Sequence, residues 1–316
     1  MRELTRSEAL ALVGGSMALA APRSAAAQAE APIRIAASLT EPYMLPYYGV
    51  DIGTFTRAGL NVELTTQPTV ASVVEAVASN NADVGQGDVI QLANAITRGN
   101  LPLAIFAGGG IYSAAYARSL GLAVAQQSPY RTARDLEGQT VGVITLNSLM
   151  AIGVETWLRA NGADVSKVKL IELLFPQMAP AIAKGLVAAA FMGEPFLSFS
   201  GVDLRVLSQP YDAIAKAFYF GCWFANKDWL AKNPALARRY TASLYDTARW
   251  CNAHSKETTT MLASHAKLDM SWLQKTGRII YATSLDPALM NPVLEQAYYY
   301  KVLQKRVTAS DLVASV

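Results

Sequence analysis

The chain has 316 residues, of which 52% are hydrophobic and 16% are charged, and its formal net charge is +3. This length exceeds what one compact core usually contains, so the chain suits two lobes. Lysine and arginine are spread along the chain without a basic cluster, which argues against nucleic acid and anionic membrane as partners.

The first 29 residues have the pattern of a secretory signal peptide. Arg2 and Arg6 form a short positive region, a mildly apolar stretch follows over residues 9–20, and small residues then lead to an A-x-A site that ends at Ala29. This order is typical of exported proteins, and the apolar stretch is shorter than the roughly 20 residues that span a bilayer. We predict a periplasmic protein that is cleaved after about Ala29 and is not inserted in the membrane. A disordered or amphipathic N-terminal helix is the alternative, and the choice between Sec and Tat export stays open.

Strands and helices alternate through the first half of the mature chain. Alternating or short apolar segments predict strands at 33–38, 60–65, 82–85 and 103–107. Apolar residues at helical spacing predict helices from about Tyr43 to Arg57, around 70–77 and over 89–97. Ser72 and Glu75 have the spacing of a capping box at the start of the second helix.

The same order of elements occurs again further along the chain. Strands are predicted at 140–144, 168–173 and 186–192. A helix capped by Asn147 or Ser148 is expected to end at Gly162, and another to run from Pro176 to Gly185. We therefore predict an α/β fold with two lobes, each a mostly parallel sheet covered by helices. The last third is predicted to be helical and to complete the first lobe.

The cysteines and histidines give little sign of catalysis. Cys222 and Cys251 can form a disulfide in an oxidising compartment or remain two separate buried thiols, because sequence does not show whether their Cα atoms approach. His254 and His265 both lie in the helical C-terminal part, and the sequence contains no Ser-His-Asp arrangement, metal-binding spacing or G-x-S-x-G motif. We expect no catalytic residue, metal site, cofactor or enzymatic activity.

Five short motifs, taken in order, resemble one protein family. They are G-x-F-x-x-x-G-L-x-V at 53–62, D-L-x-G-x-x-V-G-V at 135–143, E-P at 194–195, N-K-D-W-L at 226–230 and N-P at 233–234. They are similar to motifs of the nitrate/sulfonate/taurine and thiamine-pyrimidine-precursor substrate-binding proteins of ABC transporters. The chain departs from the family pattern at Gln139 and Thr140, where a basic residue is usual. It also has Ala188 where Asp is usual, which leaves the class of ligand open.

The resemblance implies a hinged periplasmic-binding-protein fold of type II that closes around one small-molecule ligand and docks on ABC transporter permease subunits. The lobes are then residues 30–122 with 222–316, and residues 123–221, with chain crossings near 123–127 and 218–225. We expect a monomer. A periplasmic sensor that presents its ligand to a membrane receptor would have the same fold. A thiamine-pyrimidine biosynthesis enzyme shares the scaffold, but its cysteine cluster is absent from this sequence.

The carboxyl ends of the predicted strands are expected to line the cleft between the lobes. These segments contain acidic, hydroxyl, amide and aromatic side chains and no lysine or arginine. A neutral, cationic, amine-bearing or heteroaromatic ligand can stack on tyrosines and donate hydrogen bonds to Asp88 and Glu194. An anion such as a sulfonate would instead rely on hydroxyls and on helix N-termini. The predicted ligand-binding residues are Ser38, Thr40, Tyr43, Thr69, Ser72, Gln86, Asp88, Tyr112, Asn147, Ser148, Glu194 and Tyr219.

Some of these residues have a purely structural alternative. Ser72 and Asp88 can each act only as a helix cap. Glu194 stands between Gly193 and Pro195, where the sequence offers a carboxylate little local structural purpose. Glu194 is therefore the stronger candidate for a ligand contact.

Overall fold

The computed structural model describes residues 31–115, 119–194, 196–274 and 278–315. The predicted signal peptide and its cleavage site lie outside these ranges. No helix within them combines the length and apolar character that a membrane span requires.

The described residues form strands and helices in the following order. The strands are β1 (Ile33–Ala37), β2 (Val62–Thr66), β3 (Val84–Asp88), β4 (Leu103–Gly108), β5 (Gly110–Ser113), β6 (Leu120–Ala125), β7 (Thr140–Val143), β8 (Lys169–Glu172), β9 (Ala189–Gly193), β10 (Leu204–Ser208), β11 (Ala217–Tyr219), β12 (Gly221–Asn226) and β13 (Ile280–Tyr281). The helices are α1 (Leu45–Asp51), α2 (Thr54–Arg57), α3 (Val70–Ala78), α4 (Val89–Thr97), α5 (Leu149–Ala160), α6 (Phe175–Ala183), α7 (Lys227–Lys232), α8 (Pro234–Ala253), α9 (Ser255–Ala266), α10 (Met270–Leu273), α11 (Asn291–Tyr299) and α12 (Ala309–Leu312).

Two five-stranded sheets share one topology. The strand order is β2-β1-β3-β12-β4 in the first sheet and β8-β7-β9-β6-β10 in the second. In the first sheet only β12 runs against the other four strands, and in the second sheet only β6 does so. The prediction of two mostly parallel sheets flanked by helices is therefore confirmed, and each sheet contains one antiparallel strand that the sequence pattern did not reveal.

A small third sheet joins the two larger ones. Its order is β11-β5-β13, and both pairings are antiparallel. Since β5 leads from β4 towards β6, and β11 leads back into β12, these two strands are the crossings. The predicted outward crossing at 123–127 was wrong, because its first residues lie inside β6. The predicted return near 218–225 coincides with β11 and β12. The lobe boundaries at 122/123 and 221/222 remain a prediction, although β6 already begins at Leu120.

The helix predicted from Tyr43 to Arg57 is divided in the structure. The segment Glu41–Tyr43 is a 3-10 turn, and α1 and α2 are separated by Gly53, whose φ of 71° lies in the left-handed region that favours glycine. By contrast, the helix predicted over 89–97 coincides with α4.

The C-terminal helices pack on elements of both predicted lobes, and their assignment to the first lobe remains a prediction. The long helix α8 packs against α1, α2 and β13, and α11 packs against both α4 and α5. The rings of Tyr240 on α8 and Phe55 on α2 are stacked with their centroids 5.6 Å apart. Cys222 and Cys251 are free, buried thiols, so the alternative of two separate thiols is the correct one.

Candidate functional site

Several strands of the first sheet end together and form what we call the first edge. It consists of the carboxyl ends of β1, β2, β3 and β4 and the amino end of β12. Gly221 pairs with Asp88, and Cys222 pairs with both Gly87 and Gly108. In open α/β sheets this is the edge at which ligands bind.

The side chain of Gln86 connects β3 to the turn that follows β1. Its side chain is 1% exposed, and its Nε2 donates a hydrogen bond of 2.8 Å to the carbonyl oxygen of Pro42. A Cβ atom at Gly109 would lie 2.6 Å from both Gln86 Nε2 and the carbonyl oxygen of Gly221, so only glycine fits there. The Oε1 atom of Gln86 has no hydrogen-bond partner among the described residues, and it is a buried acceptor beside the predicted site.

Asp88 and Tyr43 share this edge. Asp88 caps α4, because its Oδ1 accepts a hydrogen bond of 2.9 Å from the backbone N–H of Gln91. Burial raises the pKa of Asp88 to about 6, against the opposing effect of backbone N–H donors. Burial also raises the pKa of the Tyr43 hydroxyl, and the nearby Asp88, Cys222 and Tyr211 raise it further. The structure therefore brings Tyr43, Gln86 and Asp88 together, as predicted from their positions at strand ends.

A basic residue that the sequence analysis missed lies behind the first edge. Arg278 Nε donates a hydrogen bond of 2.5 Å to Glu41 Oε1, and Arg278 Nη1 donates one of 2.6 Å to Thr259 Oγ1. Glu41 Oε1 also accepts a hydrogen bond from the backbone N–H of Ile279. Burial raises the pKa of Glu41, and the Arg278 charge opposes this rise. The ion pair fixes the 3-10 turn that carries Tyr43. No sequence signal relates residues 237 positions apart.

The hydroxyls of Tyr112 and Tyr219 hold the crossing strands. Tyr112 donates a hydrogen bond of 2.5 Å to Asp212 Oδ1, and its ring stacks on Phe218 at 4.9 Å. Tyr219 donates to the carbonyl oxygen of Ser284 at 3.1 Å, and its oxygen accepts from the N–H of Asp286 at 2.9 Å. Both hydroxyls thus have structural partners, and a ligand contact by either ring remains a prediction.

The hydroxyl residues at the first edge are engaged in local capping. Thr69 is the N-cap of α3, and it exchanges hydrogen bonds with Ser72, which occupies the third helical position. The predicted capping box of Ser72 with Glu75 was wrong, because α3 begins at Val70, before Ser72. Ser38 Oγ lies 3.0 Å from Thr40 Oγ1 at the end of β1.

The carboxyl ends of β7, β8, β9 and β10, with the amino end of β6, form the second edge. Ser148 caps α5 by accepting from the N–H of Ala151 at 3.3 Å, and it donates to the carbonyl oxygen of Thr145 at 2.6 Å. Asn147 is exposed and has a φ of 56°, so it does not cap the helix.

Glu194 has a local role that its sequence context did not reveal. Its carboxylate accepts hydrogen bonds from the backbone N–H of Ser198 at 3.0 Å and from the hydroxyl of Ser198 at 2.6 Å. The argument that this carboxylate lacks a local structural purpose was therefore wrong. Its contact with ligand remains a prediction.

Comparison with known proteins agrees with this architecture. The periplasmic aliphatic sulphonate binding protein SsuA from Escherichia coli superimposes with a TM-score of 0.72 and 17% identity, over 90% of this chain and 92% of that protein. The alkanesulfonate-binding protein SsuA from Xanthomonas axonopodis pv. citri gives a TM-score of 0.68 and 15% identity, over 90% and 99% of the two chains. The desulfurization enzyme DSZB also gives 0.68, with 17% identity over 90% and 96%. At these identities the likeness shows the fold alone.

Sequence comparison identifies the family. No curated protein matches the chain at a significant level of sequence similarity. The model of the family described as NMT1/THI5 like, however, matches residues 42–258, which is more than half of the chain. This match extends from the 3-10 turn at the first edge, across both sheets, into α9. The chain therefore belongs to the NMT1/THI5-like family.

Proposed function

We propose that this protein is an extracytoplasmic solute-binding protein of an ABC importer. In this role it captures a small organic solute between two closing lobes and delivers it to the permease subunits. The observation that supports the proposal best is the duplicated strand order, in which two sheets are joined by the paired crossing strands β5 and β11. Two crossings of this kind can act as a hinge. Two structurally similar proteins are themselves named as sulfonate-binding proteins.

The first edge favours a solute that donates hydrogen bonds. Asp88 offers a carboxylate and Gln86 offers an unpartnered Oε1. The Arg278 side chain behind these loops is already paired with Glu41. A neutral or cationic head group, such as an amine or a heteroaromatic ring with N–H groups, therefore fits better than an anion. A sulfonate is the alternative, and it would rely on helix N-termini such as that of α5.

An enzymatic role is the second candidate, because the desulfurization enzyme DSZB shares the fold. Burial raises the pKa of the Cys222 thiol, and it raises that of Cys251 as well. A protonated thiol is a poor nucleophile. These two cysteines therefore support a binding role in preference to cysteine-based catalysis.

Solute capture is tested by a thermal-shift screen of the exported protein. The panel contains alkylamines, pyrimidines, aromatic acids, nitrate and sulfonates. A ligand at 100 times its Kd stabilises the folded state by about 2.7 kcal/mol, and small-angle scattering with that ligand is expected to show compaction. Failure of the whole panel to change the melting temperature would contradict a binding role. Conversion of a bound compound to a product during incubation would favour the enzyme.

A further inference from the structure

We propose that helix α11 is a brace that keeps the two lobes apart until a solute binds. This inference rests on the proposed function and adds the device that sets the ratio of open to closed molecules. The brace contact consists of Gln296 and Tyr299 on α11 and of Thr156 and Arg159 on α5. The contact forms in the open conformation and is broken when the lobes close.

The chain after β13 passes from the crossing strands to the second lobe and back to the first sheet. The 3-10 turn Pro287–Leu289 packs against the crossing strand β11, and α11 then contacts both α4 and α5. The chain returns through α12, which packs against α4 and β4. Beyond α12, the backbone N–H of Ala314 donates a hydrogen bond of 2.9 Å to the carbonyl oxygen of Ile105 on β4. Helix α11 is therefore anchored at the crossing strands and at the first sheet, and its contact with α5 connects the two lobes.

Gln296 is the centre of the brace contact. Its Oε1 atom accepts a hydrogen bond of 2.8 Å from Arg159 Nη2 and one of 3.3 Å from Thr156 Oγ1. The Arg159 guanidinium also lies 3.9 Å from the ring centroid of Tyr299, which is within the range of a cation–π interaction. Hydrogen bonds weaken steeply when the donor and the acceptor separate or lose their alignment. A small rotation of α5 relative to α11 therefore breaks the contact.

The brace lies at the closed end of the cleft. The crossings join β4 and β12 of the first sheet to β6 and β10 of the second, whereas β2 and β8 stand at the far ends of the two sheets. The mouth of the cleft is therefore between β2 and β8. Because α12 packs against β4, α11 lies on the side opposite to the mouth. A rotation about the crossings that brings β2 towards β8 moves α5 away from α11.

The brace contact is formed in a conformation whose strand edges are exposed. Thr69 at the first edge and Asn147 and Leu174 at the second edge are all exposed to solvent, as expected when the lobes are apart. A contact that exists only in this conformation lowers the fraction of closed molecules, and the apparent affinity for a solute falls by the same factor. A partly exposed cation–π pair with one charge-assisted hydrogen bond corresponds to about a fivefold change in that fraction.

Double electron–electron resonance on the exported protein, with no solute added, tests the brace. Spin labels are placed on Glu75→Cys of α3 and Ala183→Cys of α6, two exposed positions on the helices that follow β2 and β8. The native Cys222 and Cys251 are 0% and 4% exposed and are not expected to react. Removal of the guanidinium in Arg159→Ala is expected to increase the population with a short distance about fivefold. An unchanged distribution, or a shift to longer distances, would overturn the brace.

Two further variants make the test specific. Arg238→Ala removes an exposed guanidinium from α8, and it is expected to leave the distance distribution unchanged. Gln296→Ala removes the shared acceptor and is expected to act in the same direction as Arg159→Ala. The double variant is expected to match the larger single effect, because both substitutions break one contact. If Arg159→Ala does not fold, Gln296→Ala alone gives the result. An equal effect of Arg238→Ala would refute the assignment.

The distance distributions also separate the brace from the proposed function. If a compound of the screening panel binds but neither brace variant changes the distribution, the brace is refuted and solute binding stands. If the short-distance population rises as expected but no compound of the panel binds, the brace stands and the proposed function fails.

Discussion

Removal of Arg278 is expected to destabilise the protein in a pH-dependent way. The ion pair with Glu41 is mostly buried, since the two side chains are 16% and 20% exposed. In Arg278→Ala the Glu41 carboxylate keeps the hydrogen bond from the N–H of Ile279 but loses its counter-charge. Leaving one partner of a buried pair uncompensated costs about 3–5 kcal/mol. The partial exposure of this pair places the expected loss at about 2–3 kcal/mol at pH 8.

The protonation of the Glu41 carboxylate determines how the free energy of unfolding of the variant changes with pH. Burial already raises the pKa of Glu41, and the Arg278 charge limits that rise. Without Arg278 the folded-state pKa lies further above the unfolded value, so the folded state favours the protonated carboxyl. The unfolding free energy of Arg278→Ala is then higher at low pH, and it falls as the pH rises from the unfolded pKa through the folded pKa.

Urea unfolding of the wild type and the variant at pH 5 and pH 8 measures both effects. The difference between the two proteins is expected to be smaller at pH 5 than at pH 8. The control is Arg249→Ala, because its pair with Asp246 is more than half exposed and contributes at most about 0.5 kcal/mol. A loss for Arg278→Ala that equals the control, or that is the same at both pH values, would refute the reasoning.

Three further substitutions or conditions give specific outcomes. Affinity for an amine ligand is expected to fall as the pH drops below about 6, where Asp88 becomes protonated. Calorimetry of Asp88→Asn should show weaker binding that does not depend on pH. A pH dependence that survives in this variant would contradict the assignment of Asp88 to the site. Gly109→Ala places a Cβ atom 2.6 Å from the Gly221 carbonyl oxygen, so thermal unfolding should show a loss of about 1–3 kcal/mol; a neutral effect would argue against this packing. Arg159→Ala removes a guanidinium that lies 3.9 Å from the ring centroid of Tyr299, and chemical denaturation should show a loss of about 1–2 kcal/mol. An Arg159→Lys variant that matches the wild type would indicate that charge alone suffices.

Local sequence patterns predicted the elements that carry the site, because alternation and helical spacing are properties of short segments. The helix over 89–97 and the strand that begins at Ile33 appear where these patterns placed them. Asp88 follows a buried strand and precedes that helix, so its position at the first edge was predictable. The strands β6 and β12 were not assigned, because the chain crossings between the lobes were predicted over these segments.

Local sequence patterns could not predict contacts between segments that are far apart in the sequence. The pair of Glu41 with Arg278 joins residues from opposite ends of the mature chain. Ser198 follows Glu194 by only four positions, but the hydrogen bonds between them depend on the turn that connects them. The cap of α3 was misplaced because Thr69 and Ser72 are both good capping residues, and the pattern alone did not show which of them begins the helix.

The position of β12 determines the order in which the protein can fold. This strand lies between β3 and β4, yet it follows the whole second sheet along the chain. Until residues 221–226 are available, β4 has no strand that connects it to β3, and the N-terminal segment cannot complete its sheet. The second sheet, by contrast, is built entirely from residues 120–208. Its contacts are closer in sequence, so it is expected to fold first. The first sheet is completed only when β12 pairs with β3 and β4.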